Sequence, residues 1–431
     1  MGYLSRSRIA ASLAAIVAAA MVIPAGARSM EGAGCAWPMK LDTINSAYPD
    51  TAAQYWMTRF AAVPGTRLEI TAKYPNVRYF SFHTYDDAQR PVDSLADVQI
   101  APRSGVNPFA KLAPDGASGS YKVRVEMSTP AKRRPRNTMY SGRTNEGAPN
   151  PMGFLIYRIY TPDIAKQRTG GVPLPNIKLV GPNGAVELEM ERCEPFSPPG
   201  SSELDEHARD SSYENSTPKV TPVPGATDPP TIERFYGLDW EVIRRFPDNP
   251  AKERWPRSTG GFLSNQQIAY LKTHLSRQFG DVVVFRAKAP SYNDTVAGVS
   301  PAARRQVRYW SVCQNNLATQ RVVDCKADYQ SVIGRDGYFT FVISDPDDRP
   351  KNATAKRGIN WLPYGGIYYD GVIIYRHMLP AKGFSAAIHN VGRDENPAKV
   401  MGRYFPVAGY CSTATFEKGG WRACLATRPK T

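Results

Sequence analysis

Several sequence blocks occur twice in this chain, in the same order, and this repetition constrains the fold more than any other feature. The later blocks are VRYWSV at 307–312, VDCKADYQ at 323–330 and VIIYR at 372–376. The earlier blocks are VRYFSF at 77–82, VDSLADVQ at 92–99 and FLIYR at 154–158. The chain is therefore interpreted as an internal duplication.

The match continues upstream of these blocks without a gap. Segment 55–75 aligns with 270–290, and the identical positions are Tyr55/Tyr270, Thr58/Thr273, Gly65/Gly280, Ala72/Ala287, Lys73/Lys288 and Pro75/Pro290. A solenoid needs three or more stacked units to bury its core, so two copies predict a pair of similar domains.

The N-terminus has the pattern of a signal peptide. Arg6 and Arg8 precede an apolar run at 9–23, and small residues before position 28 predict cleavage after Ala27. A membrane anchor fits less well because the run is shorter than the roughly 20 residues that span a bilayer. No later segment predicts a transmembrane helix, so we expect a secreted or cell-envelope protein.

Length and composition suggest how the mature chain is divided. A chain of 431 residues exceeds one ordinary core. Segment 197–232 is rich in Ser, Pro and Thr and carries His207, which is typical of a solvated linker. The predicted units are a signal peptide at 1–27, a first β-sandwich at 28–196, this linker, and a second β-sandwich at 233–431.

The positive charge indicates the kind of partner. The formal net charge is +15, and loss of Arg6 and Arg8 with the signal peptide leaves +13. Basic secreted proteins are attracted to anionic wall polymers, glycans and lipid surfaces, although charge also serves solubility alone. A basic loop, Lys132 to Arg136, suits phosphate or sulfate groups or is simply solvated. No aromatic residue interleaves with its cations, so specific nucleic-acid binding is not predicted.

Six cysteines in an exported chain predict disulfides. Cys313 and Cys325 flank a polar turn between two strand-like runs, and Cys411 and Cys424 bracket a Gly-Gly pair. The two remaining cysteines, Cys35 and Cys193, are then expected to form the third pair. The predicted set is therefore Cys35–Cys193, Cys313–Cys325 and Cys411–Cys424.

Most of each copy alternates or is rich in β-branched and aromatic residues, which predicts strands. In the first copy these lie at 66–72, 77–84, 120–126 and 153–160, and in the second at 281–287, 307–313, 338–343 and 371–377. One helix is expected ahead of each set: a short one through Tyr55 and Phe60, and a longer one that starts at a capping box, Ser264 with Gln267. The predicted class is mainly β, with two similar antiparallel β-sandwiches, each with a short flanking helix.

Catalytic chemistry is not indicated by any established motif. The sequence has no nucleophile elbow, zinc-protease motif, P-loop or dinucleotide fingerprint, and the five histidines do not recur between copies. The Asp345–Asp348 cluster matches no calcium-loop spacing. No cofactor and no metal are predicted, and enzymatic activity is left open.

Aromatic and planar polar side chains of the second copy form the predicted ligand site, because such groups suit sugars, flat organic ligands and anions. Its members are Arg308, Trp310, Asp328, Asn360, Trp361, Tyr375, Arg376 and His377. The alternative is structural: alternating Tyr and Trp build cores, and an arginine present in both copies can pair, buried, with Asp97 or Asp328. We expect Arg376 to be buried against Asp328 and Trp361 to be partly exposed.

Several of these segments resemble a known bacterial family. The segments RYWS at 308–311, DGYFT at 336–340, Arg349-Pro350, NWLP at 360–363 and Tyr375-Arg376 are similar to the Domain of Unknown Function twelve-fourteen family, in its exported actinobacterial form. The similarity is strongest from Gly280 to about Val391, is faint over the first copy and is absent from the linker. The resemblance implies a jelly-roll-like β-sandwich and no particular activity.

Three function classes follow from these observations. The leading hypothesis is a secreted or envelope protein that binds an anionic or carbohydrate-like ligand. The alternatives are a small-molecule enzyme with a cleft site in the second domain, using His377 or an acid such as Asp328, and a structural envelope protein.

Overall fold

The computed structural model describes residues 35–40, 45, 47–112, 118–162, 168–191, 226–236, 263–316, 321–364, 370–393 and 395–426. The predicted signal peptide, most of the predicted linker, His207 and Cys193 lie outside these ranges. The described chain is mainly β, which confirms the predicted class. None of its helices combines the length and apolar character needed to cross a bilayer.

The first half, residues 35–191, contains two facing sheets. Their strands are β1 (Met39–Lys40), β2 (Ala53–Ala61), β3 (Arg67–Lys73), β4 (Val77–Tyr85), β5 (Pro91–Ala96), β6 (Pro102–Ser104), β7 (Ser120–Glu126), β8 (Thr138–Tyr140), β9 (Met152–Pro162), β10 (Asn176–Val180) and β11 (Val186–Met190). One sheet has the order β1-β2-β9-β4-β5, and the other has the order β11-β10-β3-β7-β6 with β8 also beside β7.

The second half, residues 226–426, contains another two sheets. Their strands are β12 (Glu233–Phe235), β13 (Ile268–Ser276), β14 (Val282–Lys288), β15 (Tyr309–Asn316), β16 (Val322–Ala327), β17 (Tyr338–Ser344), β18 (Asn360–Pro363), β19 (Asp370–Met378) and β20 (Val407–Cys411). The sheet orders are β12-β13-β19-β15-β16 and β18-β17-β14-β20.

The strand orders of the two halves correspond. The order β2-β9-β4-β5 matches β13-β19-β15-β16, and β10-β3-β7-β8 matches β20-β14-β17-β18. The β7–β8 and β17–β18 pairs are both parallel, so the sheets are not purely antiparallel as predicted. This correspondence defines which positions of the two halves are compared below.

The two predicted flanking helices are wrong, because both segments form strands. Tyr55 and Phe60 lie in β2, and the segment that follows Ser264 and Gln267 forms β13. Leu271 and Leu275 of β13 pack in the core of the second sandwich, whereas Ile268 packs against the first half. A strand buried on both faces has apolar residues at helix-like intervals, which produced the misleading pattern.

Each sandwich has an aromatic core between its sheets. In the first, Phe82 stacks on Tyr157, and in the second, Trp310 stacks on Phe339 with ring centroids 5.1 Å apart. The outer faces of β4 and β15 are buried as well, because the two halves pack against each other there. This interface contains an apolar cluster: Ala53, Tyr79, Ala96, Tyr160, Ile268, Tyr309, Ala327 and Met378.

The C-terminal segment covers the second sandwich. It contains the helices α1 (Pro397–Met401) and α2 (Thr413–Ala426), the latter broken at Gly420. The Cys411–Cys424 disulfide ties α2 to β20, and Cys313–Cys325 joins facing residues of β15 and β16, so both predicted pairs are confirmed. Cys35 is disulfide-bonded, and its predicted partner Cys193 lies outside the described residues.

Candidate functional site

The eight side chains of the predicted ligand site do not meet at one open surface. Seven of them are buried: Arg308, Trp310, Asp328, Asn360, Tyr375, Arg376 and His377. Trp361 is partly exposed, and both Arg376 and Trp361 therefore have the predicted degree of exposure. The eight divide among the interface of the halves, the core of the second sandwich and the β17–β18 pair.

Arg308 and Asp328 belong to ion pairs that cross between the halves. Arg308 Nη1 donates to Asp97 Oδ2 at 3.3 Å, and Arg78 Nη1 donates to Asp328 Oδ1. The arrangement is reciprocal, because Arg78 corresponds to Arg308 and Asp97 corresponds to Asp328. The sequence predicted that an arginine present in both copies pairs with an aspartate present in both copies, and such pairs are found. In each pair, however, the arginine and the aspartate belong to different halves.

Both aspartates also accept backbone hydrogen bonds in the same way. Asp97 accepts from Phe80 N at 3.1 Å, and Asp328 accepts from Trp310 N at 3.0 Å. Burial raises the pKa of Asp97 to about 6 and that of Asp328 to about 7, although the facing arginines act in the opposite direction. These carboxyls are therefore structural groups at a closed interface, with no exposed face for a ligand.

Trp310, Tyr375 and His377 are part of the second core. Tyr375 packs edge-on against Trp310, and His377 packs edge-on against Tyr375. His377 Nδ1 accepts from Ile388 N at 3.3 Å, so Nε2 carries the proton and donates to the Tyr375 hydroxyl at 2.7 Å. Burial lowers the pKa of His377 well below its usual value, so this histidine is neutral and enclosed.

Asn360 has a backbone role that recurs in the first half. Its amide exchanges two hydrogen bonds with the backbone of Val332, at 2.7 and 2.9 Å. Asn137, at the corresponding position, does the same with Ala101 at 2.7 and 2.8 Å. Both side chains therefore join a loop to a strand edge.

Trp361 is the partly exposed member of the predicted site. Its Nε1 donates to Ser344 Oγ at 3.0 Å, and the Arg349 guanidinium lies 4.4 Å from its ring centroid. Its ring is therefore partly covered by a cation. A ligand-binding role for Trp361 stays a prediction.

Arg376 does not pair with Asp328, which corrects the expected contact. Its Nη2 donates to Tyr48 O at 2.7 Å, and its Nη1 lies 3.9 Å from Asp50 Oδ2. Asp50 comes from the first half and accepts from the hydroxyls of Tyr309 at 3.0 Å and Ser311 at 2.7 Å. Asp328 instead accepts from Arg78.

The predicted site did not include Asp50, its counterpart Asn265 or the buried Arg158. Asp50 and Asn265 precede Tyr55 and Tyr270 by the same number of residues, so extending the repeat alignment upstream would have paired them. The replacement of Asp50 in the first copy by Asn265 in the second would then have indicated a charge difference between the two positions.

The exposed cations of the first half form a separate candidate surface. We call it the basic face and define it as Arg103, Lys122, Arg124, Lys132, Arg133 and Arg136. Asn137 positions its loop, because its Nδ2 donates to Lys122 O at 2.9 Å and its carbonyl accepts from Arg124 N at 2.8 Å. Nearby, Arg134 pairs with Asp93 at 2.8 Å, which anchors the loop to β5.

Most cations of the basic face are available to solvent. Lys132, Arg133, Arg136 and Arg103 are exposed, and no carboxylate in the described part of the chain lies within ion-pair distance of them. Lys122 and Arg124 share Glu69, at 2.5 and 3.7 Å. The corresponding β17–β18 loop of the second half contains Asp345, Asp347 and Asp348 together with Arg349, Lys351, Lys356 and Arg357, so a loop with cations and no carboxylates is particular to the first half.

Comparisons with known proteins give no functional name. No family model matches the chain, and no curated protein matches it. Among solved structures, an uncharacterised protein from Burkholderia cenocepacia shares 16% identity and a TM-score of 0.47, with 96% of this chain and 91% of that chain covered. A protein from Vibrio parahaemolyticus shares 12% identity and a TM-score of 0.38, with 82% and 90% covered.

Proposed function

We propose that this chain is an exported, non-catalytic protein that binds an anionic ligand, such as a charged wall polymer, glycan or lipid surface, through its basic face. The observation that carries this proposal is the group of four exposed cations without carboxylate partners, Lys132, Arg133, Arg136 and Arg103. Arginine forks suit phosphate and sulfate oxygens, and several cations on one face attract polyanions.

Export and duplication are part of the same proposal. The signal-peptide pattern at 1–27 and the three disulfide-bonded sites are compatible with an oxidising compartment. The matching strand orders and the repeated sequence blocks support a duplication of one β-sandwich unit. Membership of the Domain of Unknown Function twelve-fourteen family remains a proposal that rests on the sequence resemblance.

The alternative of an enzyme in the second half has less support. His377 and Asp328, its suggested catalytic groups, are buried and already hydrogen-bonded to protein. Solvent reaches the basic face directly, whereas a substrate would have to enter a closed core to reach these groups.

The proposal is tested by measuring the affinity of the mature protein for labelled polyphosphate and for vesicles that contain anionic phospholipid. Neutral dextran serves as the comparison. The variant Lys132→Glu/Arg133→Glu/Arg136→Glu is expected to weaken polyanion binding at least about tenfold and to reduce the salt dependence by roughly one unit of slope per lost contact.

A charge-matched control is available on the second half. Arg304, Arg305 and Arg357 are also exposed, and replacing all three by Glu changes the net charge by the same amount. This control is expected to retain most of the affinity. Equal losses in the two triple variants would attribute binding to net charge and reject the basic face as the site.

A further inference from the structure

Arg158 and Arg376 occupy corresponding positions at the interface between the halves. Arg158 lies in β9 opposite Tyr55, and Arg376 lies in β19 opposite Tyr270. Both are buried, and each donates Nη2 to a carbonyl of a residue with left-handed backbone, Leu263 for Arg158 and Tyr48 for Arg376. The two guanidinium groups therefore share this carbonyl contact, whereas Arg376 Nη1 also donates to Cys313 Sγ at 2.7 Å and the corresponding residue beside Arg158 is His83.

The charges around the two arginines differ. Arg376 faces the carboxylate of Asp50 at 3.9 Å, whereas the corresponding residue for Arg158 is Asn265, which has no charge. In the described ranges, no carboxylate lies within ion-pair distance of Arg158. The rings of Tyr55 and Tyr85, whose centroids lie 5.7 and 5.5 Å from its guanidinium carbon, stabilise Arg158 in part. Burying a cation without a counter-charge is costly, so an anionic partner, which the described side chains do not supply, stabilises it further.

Two buried donors at this place have no acceptor: Arg158 Nη1 and Asn265 Nδ2. The orientation of the Asn265 amide is fixed, because its Oδ1 accepts from Gln267 N at 2.9 Å. Its Nδ2 therefore takes the position that Asp50 Oδ2 has beside Arg376. Beside Arg376 there is a carboxylate, whereas beside Arg158 there are two hydrogen-bond donors without acceptors. Two such donors are suited to bind an anion.

Ser81 supplies a third donor. His83 Nε2 accepts from Gln266 N at 3.2 Å, so Nδ1 carries the proton and donates to Ser81 Oγ at 3.2 Å. The hydroxyl hydrogen of Ser81 then points towards an acceptor, and the Tyr79 hydroxyl is one acceptor within its reach. The corresponding Ser311 uses its hydroxyl hydrogen to reach Asp50 Oδ2 at 2.7 Å.

We infer that the interface between the halves binds, beside Arg158, a small monovalent anion of the halide class, held by Arg158 Nη1 and Ser81 Oγ of the first half and Asn265 Nδ2 of the second half. The ligand replaces the single carboxylate oxygen that Asp50 contributes beside Arg376, so it is small. This site is independent of the basic face.

The inference is tested by thermal unfolding of the mature protein. The midpoint temperature is measured in sodium chloride and in sodium gluconate at equal ionic strength. The midpoint is expected to rise by a few degrees with chloride and to stay nearly constant with gluconate, because a ligand that binds only the folded state stabilises it. The Asn265→Asp variant provides its own carboxylate. It is expected to equal or exceed the wild type in gluconate and to lose the chloride response.

Two further results decide the matter. Crystals grown in bromide are expected to show an anomalous peak within contact distance of Arg158 and Asn265, and Asp50→Asn is expected to create a second halide response at Arg376. Bromide at exposed positions alone, or identical midpoints in chloride and gluconate for wild type and Asn265→Asp, would overturn the inference.

Discussion

The guanidinium of Arg78 in the first half pairs with the carboxylate of Asp328 in the second half, and both groups are completely buried. Arg308 and Asp97 form the reciprocal pair across the same interface. Each half therefore supplies one cation and one anion to the other. A buried ion pair stabilises only when both partners are present, so these contacts favour one relative placement of the two halves.

Arg78→Ala is expected to lower the free energy of unfolding by about 3–5 kcal/mol, because it leaves the Asp328 carboxylate buried without its partner. A double-mutant cycle measured by denaturant unfolding identifies that partner. Coupling between Arg78 and Asp328 is expected to be about 1–3 kcal/mol. Coupling between Arg78 and Asp97, which belong to the same half, is expected to be smaller. A larger value for Arg78 with Asp97 would contradict the crossed arrangement.

The pH dependence of stability follows from the raised pKa values of Asp97 and Asp328, about 6 and about 7. The folded state binds these protons more tightly than the unfolded state does, so their contribution is fully present below about pH 4 and decreases as the pH rises through 6 to 7. In Asp97→Asn/Asp328→Asn this contribution is absent. The difference in unfolding free energy between wild type and variant should therefore change from pH 4 to pH 8, and a constant difference would contradict the raised pKa values.

The strands and two disulfides followed from local signals in the sequence. Alternating residues gave most strands, and the short spacings of Cys313–Cys325 and Cys411–Cys424 gave the pairs. The repeated Arg and Asp also indicated buried ion pairs. Sequence repetition cannot show whether Arg78 meets Asp97 or Asp328, since that choice depends on how the halves pack.

The same packing explains the error in the candidate site. Because β4 and β15 are buried on both faces, their polar and aromatic residues point into an interface and not into an open cleft. Arginine and tyrosine side chains that suit a ligand suit such an interface equally well. The basic face was visible in the sequence as a loop, but its contact with Lys122 and Arg124 depends on the fold.

Arg376→Ala and Trp361→Ala are expected to differ in their effect on stability. Loss of Arg376 leaves Asp50 buried without its cation and should cost on the order of 3–5 kcal/mol. Trp361 is partly exposed, so its truncation should cost roughly 1–2 kcal/mol, below the range of about 3–5 for a core aromatic. Urea unfolding of both variants measures this. A cost for Trp361→Ala as large as that for Arg376→Ala would place the tryptophan in the core.

The Cys411–Cys424 disulfide holds α2 over an apolar face of the second sandwich. Phe416 of this helix packs with Val282, Val284 and Val342, whose side chains point away from the central core. Cys411→Ser/Cys424→Ser should reduce stability by about 2–4 kcal/mol, since the cross-link no longer restricts the unfolded chain.

Hydrogen exchange followed by mass spectrometry locates this effect. Faster exchange is expected in α2, β20 and the adjoining part of β14, because release of the helix exposes their shared apolar cluster. The first half provides an internal control, since no residue of that half belongs to the cluster among the residues described. Faster exchange in β4 and β9 to the same extent would instead indicate loss of the whole interface, and unchanged exchange in α2 would show that packing alone retains the helix.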